Sequence, residues 1–129
     1  MAKKQKTRPE HWKDEPDAHD FPAAADYLSL HFREPETAAM VDALRTAPTI
    51  HRKAKDLLRA SLLELLPDDD PEVTRDLRKV EAGERLSPVL LVRGHNASPL
   101  VIADGYHRIC ASYHLDENAD IPCRVVDSR

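Results

Sequence analysis

From Leu86 to Val126 the chain reads strand, turn, strand, helix, strand, and this order narrows the fold more than any other feature. The run "SPVLLVR" is short, apolar and rich in β-branched residues, which predicts a buried strand over 88–93. "GHNASP" collects turn residues, and "LVIA" supplies a second strand over 100–103. "DGYHRICASYHL" predicts a helix over 105–115, "DENAD" a loop, and "IPCRVV" a third strand over 121–126. Upstream, "PDDDPEVTRDLRKVEAGE" predicts a helix over 71–82. Asp70 can cap it, Pro71 fits its first turn, and Glu72 suits the positive end of the helix dipole. Val73, Leu77 and Val80 form its buried stripe, and Gly83 stands where a left-handed stop is expected. The expected fold class is α+β: a small mixed β-sheet with packed helices, plus an N-terminal helical extension.

That extension comes from three amphipathic patterns. "FPAAADYLSLHF" starts near Pro22 and sets Ala25, Leu28 and Phe32 on one face. "EPETAAMVDALRTAP" opens with Pro35, carries Met40, Val41 and Leu44, and is closed by Pro48. "TIHRKAKDLLRASLLELLP" predicts a third helix with Ile50, Ala54, Leu57, Leu58, Ser61, Leu62 and Leu65 on its apolar side. Its outer face holds His51, Arg52, Lys53, Lys55 and Arg59. The end of this run, "LLELLP", fits either more helix or a strand over 62–66. Residues 1–19 are charged, proline-dotted and aperiodic, the pattern of a flexible tail. The chain thus divides into a tail (1–19), a helical extension (20–60) and a domain (61–129).

Composition sets bounds on function. A chain of 129 residues has room for one modest core. Its two cysteines, Cys110 and Cys123, read as reduced core thiols and point to a cytoplasmic protein. Neither a membrane span nor the apolar stretch of a signal peptide is legible. The net charge of −4 gives no global attraction for nucleic acid. A DNA-associated role would fall to the basic residues between His51 and Arg59 and the N-terminal lysines, and a solvated face is the simpler explanation of them.

The chemistry concentrates where "LVIA" meets "DGYHR". A strand ends and a helix starts within two residues, so the backbone N–H groups of the first helical turn lack internal partners and favour an anion. Gly105 has no Cβ to hold a phosphate away. Arg108 offers a permanently charged fork, and His107 one or two donors. The phosphate-binding candidates are therefore Gly105, Tyr106, His107 and Arg108, with Lys53 and Lys55 as outlying ones. Asp104 has two readings: an N-cap occupying those same amides, or a ligand to Mg²⁺ or a substrate hydroxyl. Asp104 and His107 are the candidate catalytic groups.

Over about residues 61–126 this order resembles the ParB/sulfiredoxin superfamily. The shared features are the lead-in "SLLELLP", the helix of "DDDPEVTRDLRKV", "SPVLLV", a turn, a strand, the "DGYHRICA" box and "IPCRVV". Sulfiredoxins carry Gly-Gly-Cys-His-Arg at this turn; Gly105, His107 and Arg108 match, and the resemblance implies that they bind nucleotide phosphates. Tyr106 stands where the reactive cysteine would be, so sulfiredoxin activity is not expected. Chromosome-partitioning ParB proteins carry a Gly-Glu-Arg-Arg-type box linked to CTP and Mg²⁺, and here Tyr106 replaces the glutamate. The resemblance thus implies an ATP- or CTP-like ligand with Mg²⁺, with phosphoryl transfer or hydrolysis as the matching chemistry. ParB-like nucleases make a DNA-associated protein the alternative, and a non-catalytic interaction module is the third.

A zinc site at His107, Cys110 and His114 is not expected. Positions i and i+7 lie about 10 Å apart along a helix, too far for both histidines to share a tetrahedral ion.

Overall fold

The computed structural model describes residues 11–128. Its elements are α1 (Asp20–Leu28), α2 (Glu34–Thr46), β1 (Ile50–Lys53), α3 (Ala54–Ser61), α4 (Pro71–Glu81), β2 (Val89–Arg93), β3 (Val101–Asp104), α5 (Tyr106–Leu115) and β4 (Asp120–Asp127). The fold is α+β, with a four-stranded sheet in the order β1-β4-β2-β3. β2 and β4 run parallel, and the other two pairs are antiparallel, so the sheet is mixed.

The apolar run of β2 has a simple cause. It lies inside the sheet, and alternate side chains enter two different cores. Val89 and Leu91 join the α3, α4 and α5 side with Leu57, Val73, Ile109 and Ile121. Leu90 and Val92 join the α1 and α2 side with Phe21, Leu28, Met40 and Leu44. Helices therefore cover both faces of the sheet.

α4 follows its punctuation. The Asp70 carboxylate accepts from the Glu72 and Val73 amides at 3.0 and 3.1 Å, Pro71 opens the helix, and Gly83 takes φ +84° beyond its end. Arg124, buried in β4, donates to the Leu44 and Arg45 carbonyls at 3.1 and 2.8 Å and so closes the C-terminus of α2.

Three expectations are corrected. Residues 50–53 form β1 rather than the start of a helix: Ile50 pairs with Cys123 and Lys53 with Asp120. The helix begins only at Ala54, where the Ala54 and Lys55 amides donate to the Ala119 and Glu117 carbonyls. The segment 62–66 is neither helix nor strand; Leu62 ends α3 in a left-handed conformation. Finally, the proposed tail is packed where it is described. Trp12 is only 4% exposed, and residues 11–13 exchange backbone hydrogen bonds with Leu86. The tail's first ten residues and Arg129 lie outside the described residues. No helix among the described residues is long and apolar enough to cross a membrane.

Candidate functional site

The strand-to-helix turn is built around Gly105. It takes φ +118°, a left-handed backbone that a side chain disfavours. A Cβ there would lie 2.4 Å from Val89 Cγ1 and 3.0 Å from the Arg108 guanidinium. The glycine is thus required by backbone and packing together, before any ligand is considered. Gly105 is also the N-cap of α5, and no side chain caps the helix. The first intrahelical bond runs from the Ile109 amide to the Gly105 carbonyl at 3.0 Å. The amides of residues 106–108 precede it and lack helical partners.

Of its two readings, Asp104 does not take the N-cap one. Its Oδ2 accepts from Arg108 Nη2 at 3.0 Å, and the same nitrogen lies 3.2 Å from the Pro88 carbonyl. This pair anchors the arginine at the mouth of the turn. The Arg108 Nε–H is buried without a hydrogen-bond partner. Burial pushes the Asp104 carboxyl above its usual range. Arg108 pulls it back in part, and Asp20, within hydrogen-bonding reach, pushes it up further. Asp20 begins α1, is only 2% exposed, and its Oδ2 accepts from the Asp17 amide at 3.0 Å.

These groups line one polar cleft of about 340 Å³. Asp104, Gly105, His107 and Arg108 form one wall, Arg75, Asp76 and Lys79 of α4 another, and Lys13, Asp17 and Asp20 close it from the N-terminal side. Burial also raises the Asp76 carboxyl, against the pull of Arg108, Lys79, Arg75 and His107. The cleft mixes carboxylates with fixed cations. Oxygens of Asp17 and Asp20 and a ring nitrogen of His19 lie within 4.8 Å of one another, close enough to hold one metal ion.

The other sequence candidates sit elsewhere. The Tyr106 hydroxyl donates to the Glu64 carbonyl at 2.5 Å, and its ring packs against the core away from the cleft. His114, two turns on, lies 2.7 Å from the Leu66 carbonyl, and the Cys110 thiol meets the backbone of the same residue. This row of α5 fastens the irregular segment after α3. Lys53 lies on β1, and Lys55 sits on α3 near Glu117, toward the far end of α5; neither lines the cleft. The basic run from His51 to Arg59 is split between a strand and a helix, so it forms no single helical face.

Lys13, Asp17, Asp20, Arg75, Asp76 and Lys79 are among the cleft residues that sequence reasoning missed. In the sequence Asp20 looks like a first-turn acid, and Arg75 and Lys79 like solvated positions opposite the Val73–Leu77–Val80 stripe. Their one signal is the i, i+1, i+4 grouping of Arg75, Asp76 and Lys79 on α4.

No protein-family model, curated protein or solved structure matches this chain.

Proposed function

We propose that the chain binds a phosphorylated small ligand, a nucleotide of the ATP or CTP kind together with Mg²⁺, in the cleft at the start of α5. The observation that carries this reading is the uncapped first turn of α5, which opens on a cleft furnished with Arg75, Lys79 and Arg108. Amides of residues 106–108 take phosphate oxygens, with the helix dipole favouring their charge. Arg108 is already oriented by Asp104, so little side-chain freedom is lost when it meets a phosphate. Arg75 and Lys79 neutralise the outer phosphates. Asp17 and Asp20, grouped with His19, would supply the hard oxygen ligands that Mg²⁺ prefers, with Asp104 lining the same cleft. His107 stands on the cleft wall as the group able to move a proton if the bound ligand reacts. The resemblance of the Gly105-His107-Arg108 spacing to the ParB/sulfiredoxin box supports the same ligand class.

Titration calorimetry with ATP, ADP and CTP, with and without Mg²⁺, tests this. The expected result is saturable binding of at least one nucleotide, weakened about tenfold or more, or ~1.4 kcal/mol, by Lys79→Ala. Arg108→Ala should weaken it further, with its melting curve checked because Asp104 loses a partner. No heat with any nucleotide, or binding that both substitutions leave intact, would refute the reading.

A further inference from the structure

Asp76 breaks two local rules that the rest of α4 obeys. It stands in the middle of the helix, where aspartate is a poor former, and it is only 8% exposed. A carboxylate this deeply buried normally has a hydrogen-bond or ion-pair partner. Asp76 has neither among the described residues. The cations nearest to it are held elsewhere or stand off. Arg75 pairs with Glu72, Arg108 pairs with Asp104, and Lys79, one turn along, does not close onto it. What remains of its surface opens into the polar cleft, across from His107 and Arg108.

An ionised carboxylate only accepts, so the group that meets it there must donate. Arg75, Lys79 and Arg108 already surround Asp76 with positive charge. An ammonium or a metal ion would be set against those three cations. A hydroxyl donates one hydrogen bond and adds no charge. α4 packs alongside α5, so a ligand held by the amides that open α5 presents its next few atoms to α4.

We propose that Asp76 receives a hydroxyl of the bound ligand, which makes that ligand a phosphate ester of a sugar, free or within a ribonucleotide, rather than a bare polyphosphate. This rests on the phosphate reading of the cleft and adds the residue that selects the ligand by its hydroxyls. Binding gives the buried carboxylate a donor. An analogue without the hydroxyl shuts the carboxylate off from water and leaves it unpaired.

Titration calorimetry of the full chain, with and without Mg²⁺, compares ATP and CTP with their 2′,3′-dideoxy analogues, and ribose 5-phosphate with methyl phosphate. Wild type should bind a ribonucleotide at least about tenfold more tightly than its dideoxy analogue. Asp76→Ala should abolish that preference by weakening the ribonucleotide alone, with a melting curve to show that the variant folds. The wild-type comparison stands without the variant. Nucleotides that bind without the preference, a preference that survives Asp76→Ala, or a loss confined to solutions containing Mg²⁺ would overturn the inference and leave the nucleotide reading in place. Ribose 5-phosphate covers the reverse case. If no nucleotide binds, but ribose 5-phosphate does and Asp76→Ala weakens it without weakening methyl phosphate, the hydroxyl contact holds and the nucleotide reading fails. No heat with any of these probes overturns both.

Discussion

Replacing Gly105 by alanine should be among the most damaging single-methyl additions to this chain. Two effects combine. A non-glycine residue at φ +118° carries backbone strain of about 1–3 kcal/mol. The new Cβ would also lie 2.4 Å from Val89 Cγ1 and 2.7 Å from its Cβ, a rigid core neighbour that cannot swing away. Overpacking of this kind costs about 1–3 kcal/mol, for a total of ~2–6 kcal/mol. At roughly 4 °C per kcal/mol for a chain of this size, Tm should fall by ~8–24 °C. Gly83→Ala is the internal control. Its φ is +84°, but nothing lies within 4 Å of the added methyl, so only the backbone term of about 1 kcal/mol applies. Urea denaturation of both variants, and of each combined with Val89→Ala, separates strain from clash. Val89→Ala should cost less in the Gly105→Ala background than in the wild type. Equal destabilisation by Gly105→Ala and Gly83→Ala, or strictly additive effects with Val89→Ala, would refute the reasoning.

Three further outcomes are expected. Arg124→Leu should lose about 2–4 kcal/mol by urea denaturation, since it strips the Leu44 and Arg45 carbonyls and the Thr49 hydroxyl of their donor; Arg124→Lys should rescue little, because an ammonium lacks the fork that reaches all three. Burial raises the Asp76 carboxyl above its ordinary value of 3.8, so the folded chain holds that proton more tightly than the unfolded one. The contribution is full below 3.8 and is lost as pH rises through the elevated folded value. Asp76→Asn should therefore gain stability relative to wild type as pH rises through that window, and a pH-independent difference would contradict the assignment. Burial pushes the Cys123 thiol up to about 11 and the Cys110 thiol upward too, so a thiol-reactive disulfide reagent at mildly alkaline pH should label neither in the folded chain and both in guanidinium.

The second half of the fold is legible because its signals are local. Asp70-Pro71 and Gly83 bracket α4, and the Val89–Val92 run marks a strand buried on both faces. β1 is hidden because its cause is remote. The residues Ile50–Lys53 read as part of an amphipathic helix until β4, some seventy positions later, offers them a strand to pair with. Trp12 shows the same limit: a lone aromatic in a charged stretch gives no periodicity, yet it completes a core formed by α3, α4 and α5. At the site, the strand-to-helix junction at Asp104–Gly105 is legible because a short apolar strand pattern meets a glycine there. The opposing wall is not, since Asp20 and Asp76 look like ordinary helix acids until tertiary packing buries them. Tyr106 shows the converse. It stands inside the box, yet its hydroxyl serves the backbone at Glu64.

The most direct test is a crystal of the chain soaked with Mg²⁺ and the nucleotide that titrates best. Density for a phosphate within hydrogen-bonding distance of the Tyr106 and His107 amides, with Arg108 still on Asp104, is the expected result. A nucleotide seated away from those amides, or Arg108 swung out of the cleft with no anion in its place, would contradict the claim that this turn is an anion site.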